Sequence, residues 1–401
     1  MIKKSHFSFV WIVLLGISVF SLNKITAQSS SEISKDLKWS ERMARSIIKR
    51  APQAWQVDNN EKPKCDYKLG LLMTSFEKLY QKTNNPLYAD YIKTYGETVV
   101  NPSGEIMNYK LEDYNIDYVN PGKFLFDLYK RTNDNRYLTA IKTLRKQLET
   151  HPRTNSGGFW HKKIYPYQMW LDGLYMGTPF YARYTVEFDN GKDLDDVAKQ
   201  FEQIHLHTLD KKTGLLFHAW DESKQMPWAN KETGVSPNFW SRSIGWYMMA
   251  LVDVLDYMPK EYPKRKELIQ YLNDISKAVA KYQDKSGLWY QVTDAGNKEG
   301  NYLEASGSEM FVYAFAKGAN KGYLSSNYKK RAIKGFDAIT QKLIKVDADG
   351  EIHITQVCAS AGLGGNPYRD GSFEYYIKEK IKTDNSHGLG PFILAALELE
   401  K

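Results

Sequence analysis

The sequence predicts an all-α fold, six helical hairpins closed into one (α/α)6 barrel, and three observations predict it. Apolar residues recur at helical spacing in twelve segments, while sustained period-2 alternation is hard to find. The segments also alternate in character. Stretches such as 136–149 and 264–283 are rich in Lys, Arg and Glu and suit an outer ring. Stretches such as 171–187 and 239–251 carry Trp, Tyr, Met, Gly and single charges, and suit inner helices whose starts open into a pocket. Finally, no Ser/Gly/Pro-rich linker divides residues 28–401, and no strict repeat of 34 or 40 residues appears. One domain over 28–401 is therefore expected, with a two-domain α-solenoid as the rival.

Residues 1–27 read as a secretory signal peptide: Lys3 and Lys4, an apolar run over 7–22, polar Asn23 and Lys24, and cleavage after Ala27. The mature protein is then expected in the periplasm or outside the cell. A retained membrane anchor is the rival reading, and no other segment is long and apolar enough to span a bilayer. The helical segments follow at 38–49, 67–82, 86–99, 122–132, 136–149, 171–187, 193–208, 239–258, 264–283, 302–318, 327–343 and 386–400. Helix breakers punctuate them, as in Asn84-Asn85-Pro86, Thr132-Asn133-Asp134 and Asp189-Asn190-Gly191. Short pieces at 214–219, 287–292 and 350–356 are expected as small hairpins.

Composition narrows the function. Charged residues make up 25% and hydrophobic residues 42% of the 401, which is ordinary for a globular chain and excludes collagen-like, disordered and disulfide-scaffold classes. Three lysines of the leader account for three of the +8 formal charges, leaving +5. That permits an anionic ligand, but no basic stripe points to nucleic acid. Aromatics are 14% of the chain, and Tyr and Trp make amphipathic walls for ligands with apolar faces and polar edges. Cys65 and Cys358 are compatible with a bridge or with two buried thiols.

Most catalytic signatures are missing. There is no phosphate loop, no dinucleotide fingerprint, no nucleophile elbow and no HExxH. His205 and His207 are two apart on a helical pattern and point to different faces, so they make a poor metal pair. No metal or other cofactor is expected. What remains is isolated acids in aromatic surroundings. Asp172 stands where the loop Tyr165-Pro-Tyr-Gln-Met-Trp170 enters an apolar helix; it is either an N-cap or a desolvated general acid. Asp117 precedes Asn120-Pro121-Gly122 and is either a turn residue or a second acid. His218-Ala-Trp220 forms a third cluster, and Asn238-Phe-Trp240-Ser-Arg242-Ser-Ile-Gly245-Trp246 a fourth. Arg242 lies among apolar residues and needs an anion, either a structural carboxylate or one on a substrate.

Together these segments resemble a known family. Tyr114-Asn-Ile-Asp117, Trp170-Leu-Asp172-Gly-Leu-Tyr-Met, His218-Ala-Trp220, Trp240-Ser-Arg242 and Cys358-Ala-Ser-Ala-Gly-Leu-Gly are similar to glycoside hydrolase family 105. Those are the unsaturated rhamnogalacturonyl hydrolases, related to the unsaturated glucuronyl hydrolases of family 88. The likeness covers nearly all of residues 28–401 in the right order, and Tyr368-Arg-Asp-Gly-Ser-Phe-Glu-Tyr-Tyr376 resembles the family's C-terminal signature.

The resemblance implies an anionic, unsaturated oligosaccharide as substrate and a reaction without a metal. Asp172 would be the acid that protonates C4 of a 4-deoxy-hex-4-enuronate and then accepts a proton from water. Asp117 would bind a ring hydroxyl or help hold Asp172 protonated, since adjacent carboxyls resist ionising together. His218 would position water or a hydroxyl, and Arg242 the uronate or a neighbouring acid. Tyr67, His161, Tyr165 and Gln168 are candidates for sugar contacts, and Trp170, Trp220, Trp240 and Trp246 for stacking. A non-catalytic glycan-binding protein and a conventional glycosidase acting on saturated sugars stay open beside this reading.

Overall fold

Every one of the twelve expected segments is a helix in the computed structural model, which describes Met1 and residues 32–400. The leader expected at 1–27 falls, after Met1, outside them. In chain order the helices are α1 (Trp39–Arg50), α2 (Tyr67–Thr83), α3 (Pro86–Val99), α4 (Gly122–Thr132), α5 (Asn135–Thr150) and α6 (Leu171–Phe188). Then come α7 (Leu194–Thr208), α8 (Ser241–Val254), α9 (Arg265–Lys281), α10 (Ala305–Asn320), α11 (Asn327–Lys342), the short α12 (Phe373–Lys378) and α13 (Ser386–Leu399).

The helices sort by burial as their sequences require. In α8 every residue from Ser241 to Val252 is buried, and in α10 every residue from Ala305 to Gly318, so these have neighbours all round. Helices α5 and α9 bury one stripe of Leu, Ile and Ala and turn their lysines outward. Helices α2, α4, α6, α8, α10 and α13 each pack on the next, and α13 returns to α2. The inner ring is closed. Helices α1, α3, α5, α7, α9 and α11 lie outside it, so the fold is the expected (α/α)6 barrel and no solenoid. Among the described residues no helix is long and apolar enough to cross a membrane.

The strands are short. Strand β1 (Gln168–Trp170) pairs antiparallel with β2 (Ala219–Asp221), setting Met169 opposite Trp220. Strands β3 (Ile344–Val346) and β4 (Ile352–Ile354) pair in the same way, as do β5 (Val357–Cys358) and β6 (Ile381–Lys382). Of the three expected hairpins only 350–356 is realised, as β4. The segment 214–219 gives one isolated bridge, Leu216 with Leu209, before entering β2 at Ala219, and 287–292 gives two, Tyr290 with Leu303 and Val292 with Trp240. Cys65 and Cys358 are both free and buried, and burial pushes the Cys65 thiol up to about 12.

Inner helices start at one mouth, with capping side chains fixing the entries. Asp66 accepts the Leu69 N–H of α2 at 3.0 Å, and Glu304 accepts the Ser306 and Gly307 N–H groups of α10. The opposite end is filled by charged pairs, Arg183 with Asp127 and Lys317 with Asp253 and Asp256.

Candidate active site

Asp172 is the second residue of α6 and caps nothing. Trp170 takes the N-cap position, without a side-chain cap bond. The capping alternative therefore fails: one residue into the helix, the side chain leaves the axis and enters the mouth. Its Oδ2 lies 3.2 Å from Nε2 of the fully buried His218, yet neither atom is aligned for a hydrogen bond and neither has another partner. Both are left for a ligand. Gly173 is needed beside it, because a Cβ there would stand 3.1 Å from His161 Nδ1.

Asp117 lies in a 3-10 turn (Ile116–Val119) opened by Asn115, whose side chain accepts the Asp117 N–H at 3.0 Å. Again the neighbour caps and the acid is free to face the mouth. Lys162 Nζ sits 2.7 Å from its Oδ2, and His161 Nε2 3.6 Å from its Oδ1. Burial works against the charge on Asp117, but Lys162 and His161 outweigh it and hold the carboxyl below the usual carboxylate range. Asp117 is thus held as a charged carboxylate, matched by Lys162. His161 is pushed the other way, by burial, down to about 4, and is a neutral imidazole.

Arg242, second in α8, is 1% exposed. Its Nη1 donates to the Cys358 carbonyl at 2.5 Å and to Ser306 Oγ at 3.2 Å, and its guanidinium lies over Trp240 at 4.7 Å. Nε and Nη2 have no partner, and among the described residues Arg242 makes no ion pair. No carboxylate meets it directly; the buried Glu304 acts on its charge from behind Ser306, which bridges the two. Gly307 makes this close meeting of α8 and α10 feasible, since a Cβ there would be 3.2 Å from the Arg242 nitrogen. Tyr67, first in α2, feels the charges of Asp117, Arg242 and Asp172, so all three lie near it. Its hydroxyl meets His387 Nε2 at 2.7 Å, and His387 Nδ1 meets Asn385 Oδ1 at 2.7 Å.

The aromatic wall is tightly organised. Trp170 carries His161 and Tyr165 almost parallel to its ring, at 4.5 Å and 5.1 Å, and donates Nε1–H to Gln168 at 3.1 Å. Gln168 therefore orients Trp170. Trp240 lies 4.9 Å from His218 and donates to Gln291 at 3.0 Å. Two expected stacking residues are elsewhere. Trp220 is paired face to face with His207 of the outer helix α7, at 3.7 Å. Trp246 is one turn deeper than Arg242, 1% exposed and stacked on Tyr175 at 4.9 Å. Both are wall packing.

Lys162, His387 and Gln291 belong to the site without any pattern in the sequence to mark them, and Tyr376 was marked only as the end of the C-terminal segment. Lys162 looked like one more loop charge in His161-Lys162-Lys163, and only its place beside His161 hinted otherwise. Among the described residues no group of three His, Cys, Asp or Glu side chains is arranged to hold a metal.

The likeness to known families makes this barrel a carbohydrate-cleaving one: the protein is a glycoside hydrolase. The chain belongs to Glycosyl Hydrolase Family 88, whose model matches residues 39–401. A solved family 105 glycoside hydrolase from C. acetobutylicum is 46% identical, with a TM-score of 0.87 over 91% of this chain and 99% of that one. Protein Atu3128 of Agrobacterium fabrum is 34% identical over 56% of this chain and 97% of its own length. Unsaturated rhamnogalacturonyl hydrolase YesR of Bacillus subtilis is 26% identical over 72% of this chain and 78% of that protein.

Proposed function

We propose that this protein releases the terminal 4,5-unsaturated uronate from rhamnose-containing oligosaccharides left by polysaccharide lyases. The observation that carries the reading is the buried Arg242, with Nε and Nη2 unpartnered, at the start of α8, which packs on the helix that Asp172 opens. A buried guanidinium with two free donor positions is matched by a planar carboxylate, and the substrate brings one. The similarity to a named unsaturated rhamnogalacturonyl hydrolase supports the sugar class.

In this reading Asp172 gives its proton to C4, and the resulting cation at C5 is flanked by the ring oxygen. Water adds to C5 and returns a proton to Asp172. The hemiketal opens by breaking the bond from C5 to the ring oxygen, and C1 then expels the next sugar. One carboxyl serves both steps, which suits a site whose other acid, Asp117, is tied to Lys162. Asp117 accepts from sugar hydroxyls, and Trp170 and Trp240 bound the ring. With the leader at 1–27, we place the reaction in the periplasm or outside the cell.

The test is a panel of lyase products beside their saturated counterparts. Loss of the conjugated ultraviolet absorbance with the unsaturated set only is the expected outcome. Sugar release from the saturated set would establish a conventional glycosidase, and binding without turnover a lectin-like protein.

A further inference from the structure

We infer that Tyr376 locks the tautomer of His218, so that Nε2 carries an N–H, never a lone pair, into the mouth beside Asp172. The Tyr376 hydroxyl is fully buried and lies 2.7 Å from His218 Nδ1, its hydrogen-bond partner among the described residues. A phenol has one proton to place, and a buried donor without an acceptor is costly. Accepting from a protonated Nδ1 would leave that O–H stranded. The hydroxyl therefore donates to Nδ1, and the histidine's own proton sits on Nε2, 3.2 Å from Asp172 Oδ2.

The assembly around Tyr376 is built to keep it there. Helix α12 is only six residues long and is capped by Ser372, which accepts the Tyr375 N–H at 3.1 Å. Gln291 holds the Tyr376 carbonyl at 3.1 Å through the same side chain that fixes Trp240, and the Tyr376 ring lies nearly parallel to Trp240. The second buried pair in the mouth has the opposite polarity. His387 Nδ1 faces Asn385 Oδ1, whose amide nitrogen donates to Asp58, so His387 carries its proton on Nδ1 and accepts the Tyr67 hydroxyl on Nε2.

The lock has a chemical consequence that rests on the reaction proposed above. With Nε2 already protonated, His218 cannot take the proton of Asp172, which is kept for C4. When Asp172 is ionised, the Nε2–H binds the oxygen of the attacking water while Asp172 accepts one of its protons. Tyr376 is thus a positioning residue acting through His218.

The experiment uses the full chain with 15N-labelled histidine, the His218 signals being those lost in His218→Gln. The wild type is expected to show a protonated Nε2 and a hydrogen-bonded, unprotonated Nδ1. In Tyr376→Phe the tautomer bias is expected to relax, with kcat on a lyase-derived disaccharide down about tenfold and KM within about twofold. A protonated Nδ1 in the wild type, an unchanged Nε2–H population in the variant, or a relaxed bias with unchanged kcat overturns the inference. If the variant does not fold, the wild-type spectrum alone decides the tautomer. If the wild type shows Nε2–H but consumes no unsaturated substrate, the lock stands and the substrate reading falls.

Discussion

Asp172 enters the mouth one residue inside α6, so changing it should touch chemistry and leave the helix start alone. Asp172→Asn is expected to lose about 10²–10⁴-fold in turnover, measured as consumption of the conjugated double bond, with unchanged circular dichroism and melting temperature. A variant retaining more than about a tenth of wild-type activity would remove Asp172 from the acid–base role. Arg242→Lys should cost about tenfold or more in kcat/KM, because an ammonium cannot copy the planar fork that Nε and Nη2 offer. Asp117 calls for a different experiment. Its carboxyl is held below the ordinary range, so its pairing with Lys162 stabilises the fold above the unfolded carboxylate pKa and is lost as pH falls through the lower folded value. Lys162→Met leaves a largely buried carboxylate unpaired, and about 1–3 kcal/mol of stability should go with it in urea unfolding. Adding Asp117→Asn should restore much of that stability without restoring activity.

At the scale of elements, the inner helices contribute their first turns: Tyr67 opens α2, and Asp172, Arg242, Ser306 and His387 are each second in their helices. Amide dipoles there favour anions, which agrees with a uronate ligand. The spacing of these turns depends on close approaches such as Gly307 against Ser241 and Arg242. Gly307→Ala should therefore lower both melting temperature and kcat, with about 1–3 kcal/mol lost to the forced separation of α8 and α10. If activity falls and stability does not, the contact matters only for Arg242. The long amphipathic helices were legible in the sequence because each repeats its pattern over three turns or more. Two-residue strands such as β5 and six-residue α12 carry no such repeat. Asp172, Asp117, His218 and Arg242 stood out as polar residues in apolar company. Lys162 and Tyr376 did not, since their meaning comes from partners: Tyr376 meets His218 across 158 residues, through loops whose course no local pattern dictates.

Across the whole molecule, buried imidazoles set the response to acid. Burial lowers His151 and His161 to about 4 and His387 well below its ordinary value, while His353 rises because Asp384 outweighs its burial. Between about pH 6.5 and 4 the unfolded chain binds protons at the first three that the folded chain refuses, so stability falls as pH falls. Each such proton contributes a slope of about 1.4 kcal/mol per pH unit. His151→Gln, outside the mouth, is expected to flatten urea-derived stability against pH by about one proton in that window. The same ring closure that assembles the mouth ties the two ends of the chain together. Ser40 hydrogen-bonds to Glu400 across 360 residues, and Tyr67 waits for His387 across 320. During synthesis the first five hairpins can stack side by side as they leave the ribosome, each on its predecessor. The sixth cannot be replaced by any of them, because it alone supplies the face that α2 needs and the imidazole that takes the Tyr67 proton. The mouth is complete only with α13 in place between α10 and α2, so the last helix of the chain is as much a part of the site as the helix that Asp172 opens.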